Sequence, residues 1–191
     1  FATFYDCDTE MSLLKSADIN NDGIKDILIG TSNEIPGSGG FYNIYSRYFI
    51  GTGGGRFSRG ESIVSYETPS GNIAIGDFNQ DNKTDLFTNN QLVSNGAITA
   101  LDAYSAIPGG YLRDGLVGDF NGDGDQDLVG LNGESKLYVL LGTNIPDDAT
   151  FGSPNEIVVD PSTLAVVVGD LNGDGYQDIV SGGLNNVTIH Y

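Results

Sequence analysis

The sequence predicts an all-β fold assembled from about four similar repeats, and three observations lead to this prediction. Gly accounts for 28 of the 191 residues, which is typical of a chain with many tight turns. Hydrophobic residues make up 39% of the chain, enough for a buried core, and they occur in short β-prone runs. The third observation is an Asp-rich segment that recurs four times, each time directly before apolar residues.

The repeated segment has nine residues and the pattern D-x-N-x-D-[GN]-x-x-D. Its copies occupy residues 18–26, 77–85, 119–127 and 170–178. The sixth position must turn sharply, often at positive φ, and Gly or Asn suits that conformation. One such segment could be a plain Asx-rich turn. Four copies in register before apolar strands indicate a common structural purpose instead.

The spacing of the oxygen-bearing side chains indicates a cation site. Side chains at positions 1, 3 and 5 would line the inside of a tight loop, the residue at position 7 can present its backbone carbonyl, and the Asp at position 9 closes the shell. Hard oxygen ligands of this number suit Ca²⁺ better than Zn²⁺, which prefers Cys and His. Magnesium demands stricter octahedral geometry and is the weaker candidate.

An EF-hand begins with the same pattern but needs a Glu at position 12 and flanking helices. Position 12 of the four segments is occupied by Ile29, Thr88, Gly130 and Ser181. None of these supplies a carboxylate, and β-prone residues follow position 9. The loop is therefore predicted to join two strands.

The second copy is predicted to be the weakest site. Asn82 replaces Gly at position 6, and Lys83 places a cation beside the loop. Because Asn tolerates the left-handed conformation, the site is kept but with lower expected affinity. Asn82 also begins one of two N-x-S/T sequons, and Asn186 begins the other. Chance matches are common in an Asn-rich chain, and Asn82 is the less favoured glycan acceptor because it lies in a calcium loop.

The motifs at residues 118–129 and 169–180 resemble the FG-GAP/VCBS repeats of integrin α-subunit heads, fungal propeller lectins and many bacterial surface proteins. The Gly- and Phe-containing stretches at 53–57 and 149–152 fit the same pattern. In that family each repeat is one four-stranded antiparallel propeller blade, with calcium between its first two strands. The resemblance implies about four Ca²⁺ ions and the following ligands, with backbone carbonyls from the seventh residue of each loop. They are Asp18, Asn20, Asp22, Ile24 and Asp26; Asp77, Asn79, Asp81, Lys83 and Asp85; Asp119, Asn121, Asp123, Asp125 and Asp127; and Asp170, Asn172, Asp174, Tyr176 and Asp178.

The predicted architecture is a single β-propeller domain over residues 1–191 with about four blades. Successive loops start 59, 42 and 51 residues apart, near or above the ~40–50 residues of a propeller blade. The blade repeats are expected at about residues 11–68, 69–110, 111–161 and 162–191. The family usually builds seven blades, so four motifs are a departure from its pattern.

The fourth blade is predicted to lack its outer strand, whereas an extra strand, Phe1–Tyr5, precedes the first blade. Residues 1–6 are therefore expected to complete blade four. Closure within one molecule is favoured because it needs no partner. The alternative is donation to a neighbouring copy by β-augmentation, which would make a polymer.

An aromatic and Gly-rich insertion is predicted at Ser32–Gly55 in the first blade. Its aromatic residues are Phe41, Tyr42, Tyr45, Tyr48 and Phe49. They fit packing between blades, or alternatively a contact surface for sugar or another subunit.

Charge and composition restrict the possible partners and compartment. The net charge of −18 argues against a nucleic-acid partner. No apolar run approaches the roughly 18 residues of a membrane span. Weak oxygen-rich calcium sites fill where calcium is near millimolar, which indicates an extracellular or cell-surface location.

Cys7 is the only cysteine. It is expected to be a small buried hydrophobe or, alternatively, to form an intermolecular bridge. The chain begins at Phe1, without Met and without a leader, so we expect either that a signal peptide was removed or that the numbering starts inside a longer protein.

No convincing catalytic set is present, so the chain is expected not to be an enzyme. His190 is the only histidine and lies in a predicted edge strand, and Asp147–Asp148 reads as a turn. The predicted function is an extracellular calcium-binding module that contacts a glycan or a protein. One alternative is a structural subunit of an extracellular fibre, joined by exchange of the strand Phe1–Tyr5. Another is a non-catalytic accessory domain of a secreted enzyme.

Overall fold

The computed structural model describes residues 10–34, 42–65, 73–88, 91–94, 97–100, 112–132, 134–143 and 150–191. Within these ranges the regular elements are all strands, which confirms the all-β prediction. The chain divides into two compact units, Phe1–Asn72 and Ile73–Tyr191. The predicted strand Phe1–Tyr5, together with Cys7 and Asp147–Asp148, lies outside the described residues.

The first unit contains one four-stranded antiparallel sheet in the order β1-β2-β3-β4. Its strands are β1 (Glu10–Ala17), β2 (Asp26–Glu34), β3 (Tyr42–Gly53) and β4 (Arg56–Ser65). Leu28 and Phe49 are buried in this sheet. The described part of the predicted insertion at Ser32–Gly55 belongs to β2, to β3 and to the Gly-rich turn that follows β3. It therefore continues the regular sheet.

The second unit begins with a four-stranded antiparallel sheet in the order β5-β6-β7-β8. Its strands are β5 (Ile73–Gly76), β6 (Asp85–Thr88), β7 (Gln91–Ser94) and β8 (Ala97–Ala100). Among these strands, β7 is not indicated by an alternating sequence pattern. Its four residues, Gln-Leu-Val-Ser, are too few to show alternation against the surrounding polar chain.

The next sheet has the order β9-β10-β11-β14, and a short two-stranded ladder of β12 and β13 follows β11. The strands are β9 (Leu112–Gly118), β10 (Asp127–Asn132), β11 (Leu137–Leu140), β12 (Gly142–Thr143), β13 (Thr150–Phe151) and β14 (Asn155–Ile157). Every residue of β10 and β11 is buried. This central sheet of the unit is therefore covered on both faces.

Two hydrophobic clusters cover those faces. One cluster contains Ala74, Phe78, Phe87, Leu112, Leu128, Tyr138, Leu140 and Phe151, and the other contains Val129, Leu131, Leu137, Val139, Val166 and Ile179. The neighbours Leu128 and Val129 fall in different clusters because successive strand residues point to opposite faces. The sheets before and after the central one thus pack against its two sides.

The last sheet is three-stranded, in the order β15-β16-β17. Its strands are β15 (Thr163–Gly169), β16 (Asp178–Gly183) and β17 (Val187–His190). Val166 and Ile179 face the core, whereas Val167, Val187 and Ile189 are exposed on the other face. The structure agrees with the predicted absence of a fourth strand in the described part of this repeat, and it places His190 in the edge strand β17.

Candidate metal centre

Each Asp-rich segment connects the first two strands of its sheet. Residues 18–26 join β1 to β2, residues 77–85 join β5 to β6, residues 119–127 join β9 to β10, and residues 170–178 join β15 to β16. The prediction that the loop lies between two strands is confirmed at all four positions. No flanking helix of the EF-hand type occurs among the described residues.

The four loops share a backbone conformation with two left-handed residues. Position 6 has positive φ in every copy: 85° at Gly23, 62° at Asn82, 89° at Gly124 and 93° at Gly175. This confirms the predicted sharp turn, including the substitution of Asn for Gly. Position 4 also has positive φ, at Asn21, Gln80, Gly122 and Gly173. Sequence reasoning missed this second turn, although Gly or Asn at three of the four positions was a usable signal.

The carboxylate at position 1 closes the turn. Its Oδ2 accepts the backbone N–H of position 6 in every loop, for example Gly23 to Asp18 at 2.7 Å and Asn82 to Asp77 at 2.8 Å. Its Oδ1 accepts a second N–H, from position 5 in the first two loops and from position 4 in the other two. The chain is thereby wrapped around the first Asp.

Positions 3 and 5 form two successive Asx turns. The Asn at position 3 accepts the N–H of position 5, and the Asp at position 5 accepts the N–H of position 7, in all four loops. In the first, third and fourth loops the Asn side chain also donates to that Asp, as Asn20 does to Asp22 at 2.9 Å. The polar side chains of positions 1, 3 and 5 are thus gathered around one short stretch of backbone.

The carboxylate at position 9 is the buried anchor of each loop. Asp26, Asp85, Asp127 and Asp178 are at most 3% exposed. Each accepts the N–H of position 2 through Oδ2, and Asp127 also accepts the N–H of Gly142 at 2.8 Å. Burial raises the pKa of Asp127, while the N–H groups of Gly142 and Phe120 act in the opposite direction. This carboxylate braces the loop, and its additional ligation of a cation remains a prediction.

Position 7 was predicted to contribute only a backbone carbonyl, but in the third loop its side chain has a role of its own. Asp125 is 5% exposed, and one of its oxygens accepts a hydrogen bond from the Gln80 amide of the second loop. Its other oxygen, Oδ2, is buried without a hydrogen-bond partner among the described residues. Burial, together with the nearby charges of Asp123 and Asp119, raises the pKa of Asp125.

The second loop carries the cation that was predicted beside it. Lys83 Nζ lies 3.9 Å from Asp81 Oδ2, and both groups belong to the same nine-residue segment. The Lys83 side chain is 49% exposed, so solvent weakens this ion pair. Its charge nevertheless opposes a second positive charge near Asp81, and the lower affinity of this loop remains a prediction.

The donor chemistry of the loops fits a hard cation. Positions 1, 3, 5 and 9 offer carboxylate and amide oxygens, and no Cys or His lies in any of the segments. Among the described residues, no three Asp, Glu, His or Cys side chains meet closely enough to form a metal site by themselves. The predicted ligand set includes three Asp side chains in each loop, at positions 1, 5 and 9, and the described loops do not gather them into such a cluster, so ligation of a cation by these residues remains a prediction.

Two further groups from the sequence analysis have structural partners. Asn186, the second sequon residue, donates to Asp160 Oδ2 at 3.0 Å. His190 Nε2 lies 3.2 Å from Ser181 Oγ, and Ser181 is only 3% exposed. The Ser181–His190 contact links β16 to β17, and the Ser181 hydroxyl is buried rather than accessible to solvent.

A family model described as FG-GAP-like repeat matches residues 18–88 and 119–181, and these matches include all four loops. No curated protein and no solved structure matches the chain.

Proposed function

The chain belongs to the FG-GAP-like repeat family, and we propose that it is a calcium-stabilised β-propeller that serves as an extracellular binding or adhesion module. Domains of this family are typically extracellular and generally non-catalytic. No helix able to cross a bilayer occurs among the described residues. The proposed ligand is a glycan or an extracellular protein.

One observation carries the proposal: four separate loops repeat the same backbone turn and most of the same side-chain-to-backbone hydrogen bonds. In each loop the side chains of positions 1, 3 and 5, the carbonyl of position 7 and the carboxylate of position 9 would hold one Ca²⁺. The ion would supply positive charge to a loop that concentrates three or four carboxylates within nine residues. In a chain of net charge −18, this removes repulsion at the start of every sheet.

The proposed architecture is one propeller domain of about four blades. Four antiparallel sheets of four, four, four and three described strands support it, since each sheet begins with a strand, a calcium loop and a second strand. Calcium would fix the hairpin between those first two strands in each blade. The loops at the blade ends would then contact the ligand, as loops on a rigid scaffold commonly do.

Thermal unfolding with and without calcium tests the proposal. Occupation of one site at 100 times its dissociation constant contributes about 2.7 kcal/mol, so calcium should raise the melting temperature by many degrees and a chelator should reverse the rise. Asp119→Asn should reduce the calcium-dependent rise. Glu134→Gln removes an equal charge from an exposed residue outside the loops and should leave the rise unchanged. Identical melting in calcium and chelator would reject the proposed calcium binding.

A second candidate function is a structural subunit of an extracellular fibre, and the last sheet favours it. β17 is an edge strand in the described structure, and its alternate residues Val187 and Ile189 are 71% and 42% exposed. An apolar edge strand of this kind readily pairs with another strand. We infer that its occupant would be the uncharged segment Phe1–Tyr5 of a second copy.

Sedimentation velocity separates the two candidates. The fibre candidate predicts assemblies that grow with protein concentration and disappear when Phe1–Tyr5 is deleted. A wild-type protein that remains monomeric at all concentrations would reject strand exchange and leave the binding module as the function.

A further inference from the structure

Successive calcium loops of the second unit touch each other through the glutamine at position 8. Gln126, in the third loop, accepts a hydrogen bond through Oε1 from the backbone N–H of Asp77 at 2.7 Å. Asp77 is the first residue of the second loop and lies 49 residues earlier in the chain. This contact therefore joins the end of one loop to the beginning of the preceding one.

In the next pair of loops the position-8 glutamine again lies close to the glycine that precedes the earlier loop. Gly76 directly precedes the second loop, and a Cβ added there would overlap Gln126 Oε1. Gly118 directly precedes the third loop, and a Cβ added there would lie 2.6 Å from Oε1 of Gln177, the position-8 residue of the fourth loop. Glycine at both positions thus leaves room for the glutamine of the following loop. At Gly169, which precedes the fourth loop, no described atom lies within 4 Å of an added Cβ.

A second contact joins the same loops at the left-handed turn of position 4. Gln80 of the second loop donates to Asp125 of the third, and the Tyr176 ring of the fourth loop packs against Gly122 of the third. The φ of Gln80 is 58°, an unfavourable value for a residue with a long side chain. The third loop therefore holds the second loop at both its first and its fourth residue.

These contacts bear on the cation site because Asp77 supplies the position-1 carboxylate. That carboxylate accepts the N–H groups of Asp81 and Asn82 at 3.0 and 2.8 Å, so its orientation determines the shape of the turn. A hydrogen bond that fixes the Asp77 amide also fixes the backbone from which the carboxylate projects.

We propose that Gln126 and Gln177 are positioning residues for the calcium site of the preceding loop and not for the loop that contains them. The inference rests on the proposed calcium binding. It adds that the calcium affinity of one loop depends on the loop that follows it in the chain. The affinity of the second loop depends on the third, and the affinity of the third depends on the fourth. Gln177 is exposed, whereas Gln126 is partly buried, so water competes more strongly for the contact that Gln177 makes.

The experiment is a calcium titration of the whole chain followed by two-dimensional amide NMR. The position-6 amides of Asn82, Gly124 and Gly175 each report their own loop because each donates to its position-1 carboxylate. In Gln126→Met, which retains length but loses the acceptor, the Asn82 midpoint should rise about fivefold, the value of one ordinary hydrogen bond. The Gly124 midpoint should stay unchanged. Gln177→Met should raise the Gly124 midpoint about twofold and leave Gly175 unchanged.

Two controls separate positioning from a general loss of stability. Gln126→Glu retains an acceptor at the same place, so the Asn82 midpoint should not rise. Gly76→Ala displaces the Gln126 side chain and should raise the Asn82 midpoint. Gly169→Ala makes the corresponding change before the fourth loop, where there is open space, and should leave the Gly175 midpoint unchanged.

The outcomes distinguish the inference from the function on which it rests. Equal shifts of all three amides in Gln126→Met, or a shift of Gly124 in place of Asn82, would overturn the positioning role while calcium binding stood. If the NMR signals of all three amides in the wild-type protein did not shift in millimolar calcium, the proposed function and the positioning role would both be overturned.

Discussion

Asp26 accepts a hydrogen bond from the backbone N–H of Gly51 at 2.7 Å, although 25 residues separate them. Asp127 has the same relationship to Gly142 at 2.8 Å. In both cases the last carboxylate of an Asp-rich loop ties the loop to a strand that follows later in the chain, β3 for Gly51 and β12 for Gly142. The loop is therefore fixed at its buried end independently of any cation.

Replacement of Gly51 or Gly142 by Ala should destabilise the protein by about 1–3 kcal/mol, as overpacking does. A Cβ at Gly51 would lie 2.5 Å from the carbonyl oxygen of Lys25, and one at Gly142 would lie 2.7 Å from that of Gln126. Gly152→Ala is the matched control because its nearest neighbour, Leu141 O, would be 3.7 Å away. Urea denaturation measures the three differences. Equal stability of all three variants would contradict the close approach.

Phe78→Leu should cost about 1–3 kcal/mol of stability. Phe78 occupies position 2 of the second loop, and its ring centre lies 5.5 Å from Phe151 and 6.5 Å from Phe87. The ring thus anchors the loop in the core. Leu171 occupies the same position in the fourth loop but is 55% exposed, so Leu171→Ala should change stability by less than about 0.5 kcal/mol. Denaturation midpoints test this contrast, and a larger loss at Leu171 would contradict it.

Asn82→Ala should cost about 1–2 kcal/mol because Ala resists the left-handed conformation that Asn82 adopts at φ 62°. Asn82→Gly should stay within about 0.5 kcal/mol of the wild type, since relief of strain is offset by greater freedom in the unfolded chain. The measurement is chemical denaturation of both variants in the presence of a chelator. An Ala variant as stable as the Gly variant would show that the turn does not require positive φ at this residue.

Asp160 should stabilise the protein above the ordinary titration range of an Asp carboxyl and lose that effect in acid. The Ser162 hydroxyl, the Ser162 N–H and the Asn186 amide all donate to it, and they hold its pKa below the usual value. Since the folded pKa is lower than the unfolded one, the contribution is fully present above the unfolded pKa and disappears as pH falls through the folded pKa. Denaturation of wild type and Asp160→Asn at pH 7 and near pH 3 should show a difference that shrinks in acid. A constant difference would contradict the role of its charge.

The repeated loops were the most predictable part of the molecule because all four copies place the same turn-forming and oxygen-bearing residues at the same positions. Gly or Asn at position 6 predicted the left-handed turn, and the apolar residues after position 9 predicted the second strand of each sheet.

The contacts between loops were not predictable in the same way. Gln126 and Asp77 are 49 residues apart, and no local preference of Gln indicates a backbone amide in another repeat. The left-handed conformation of Gln80 was equally hidden, because it is stabilised by Asp125 of the next loop rather than by its own residue type. The contacts between loops and the conformation of Gln80 depend on tertiary packing. The conformation of each loop depends instead on its own turn-forming residues.

The central proposal is that these oxygen-rich turns bind calcium, and equilibrium dialysis with radioactive calcium tests it most directly. We expect saturable binding of about four ions per chain in millimolar calcium. We also expect a loss of about one ion when Asp18, the first residue of the first loop, is replaced by Ala. Binding that does not saturate, or a stoichiometry that is the same in the Asp18→Ala variant, would contradict the proposal.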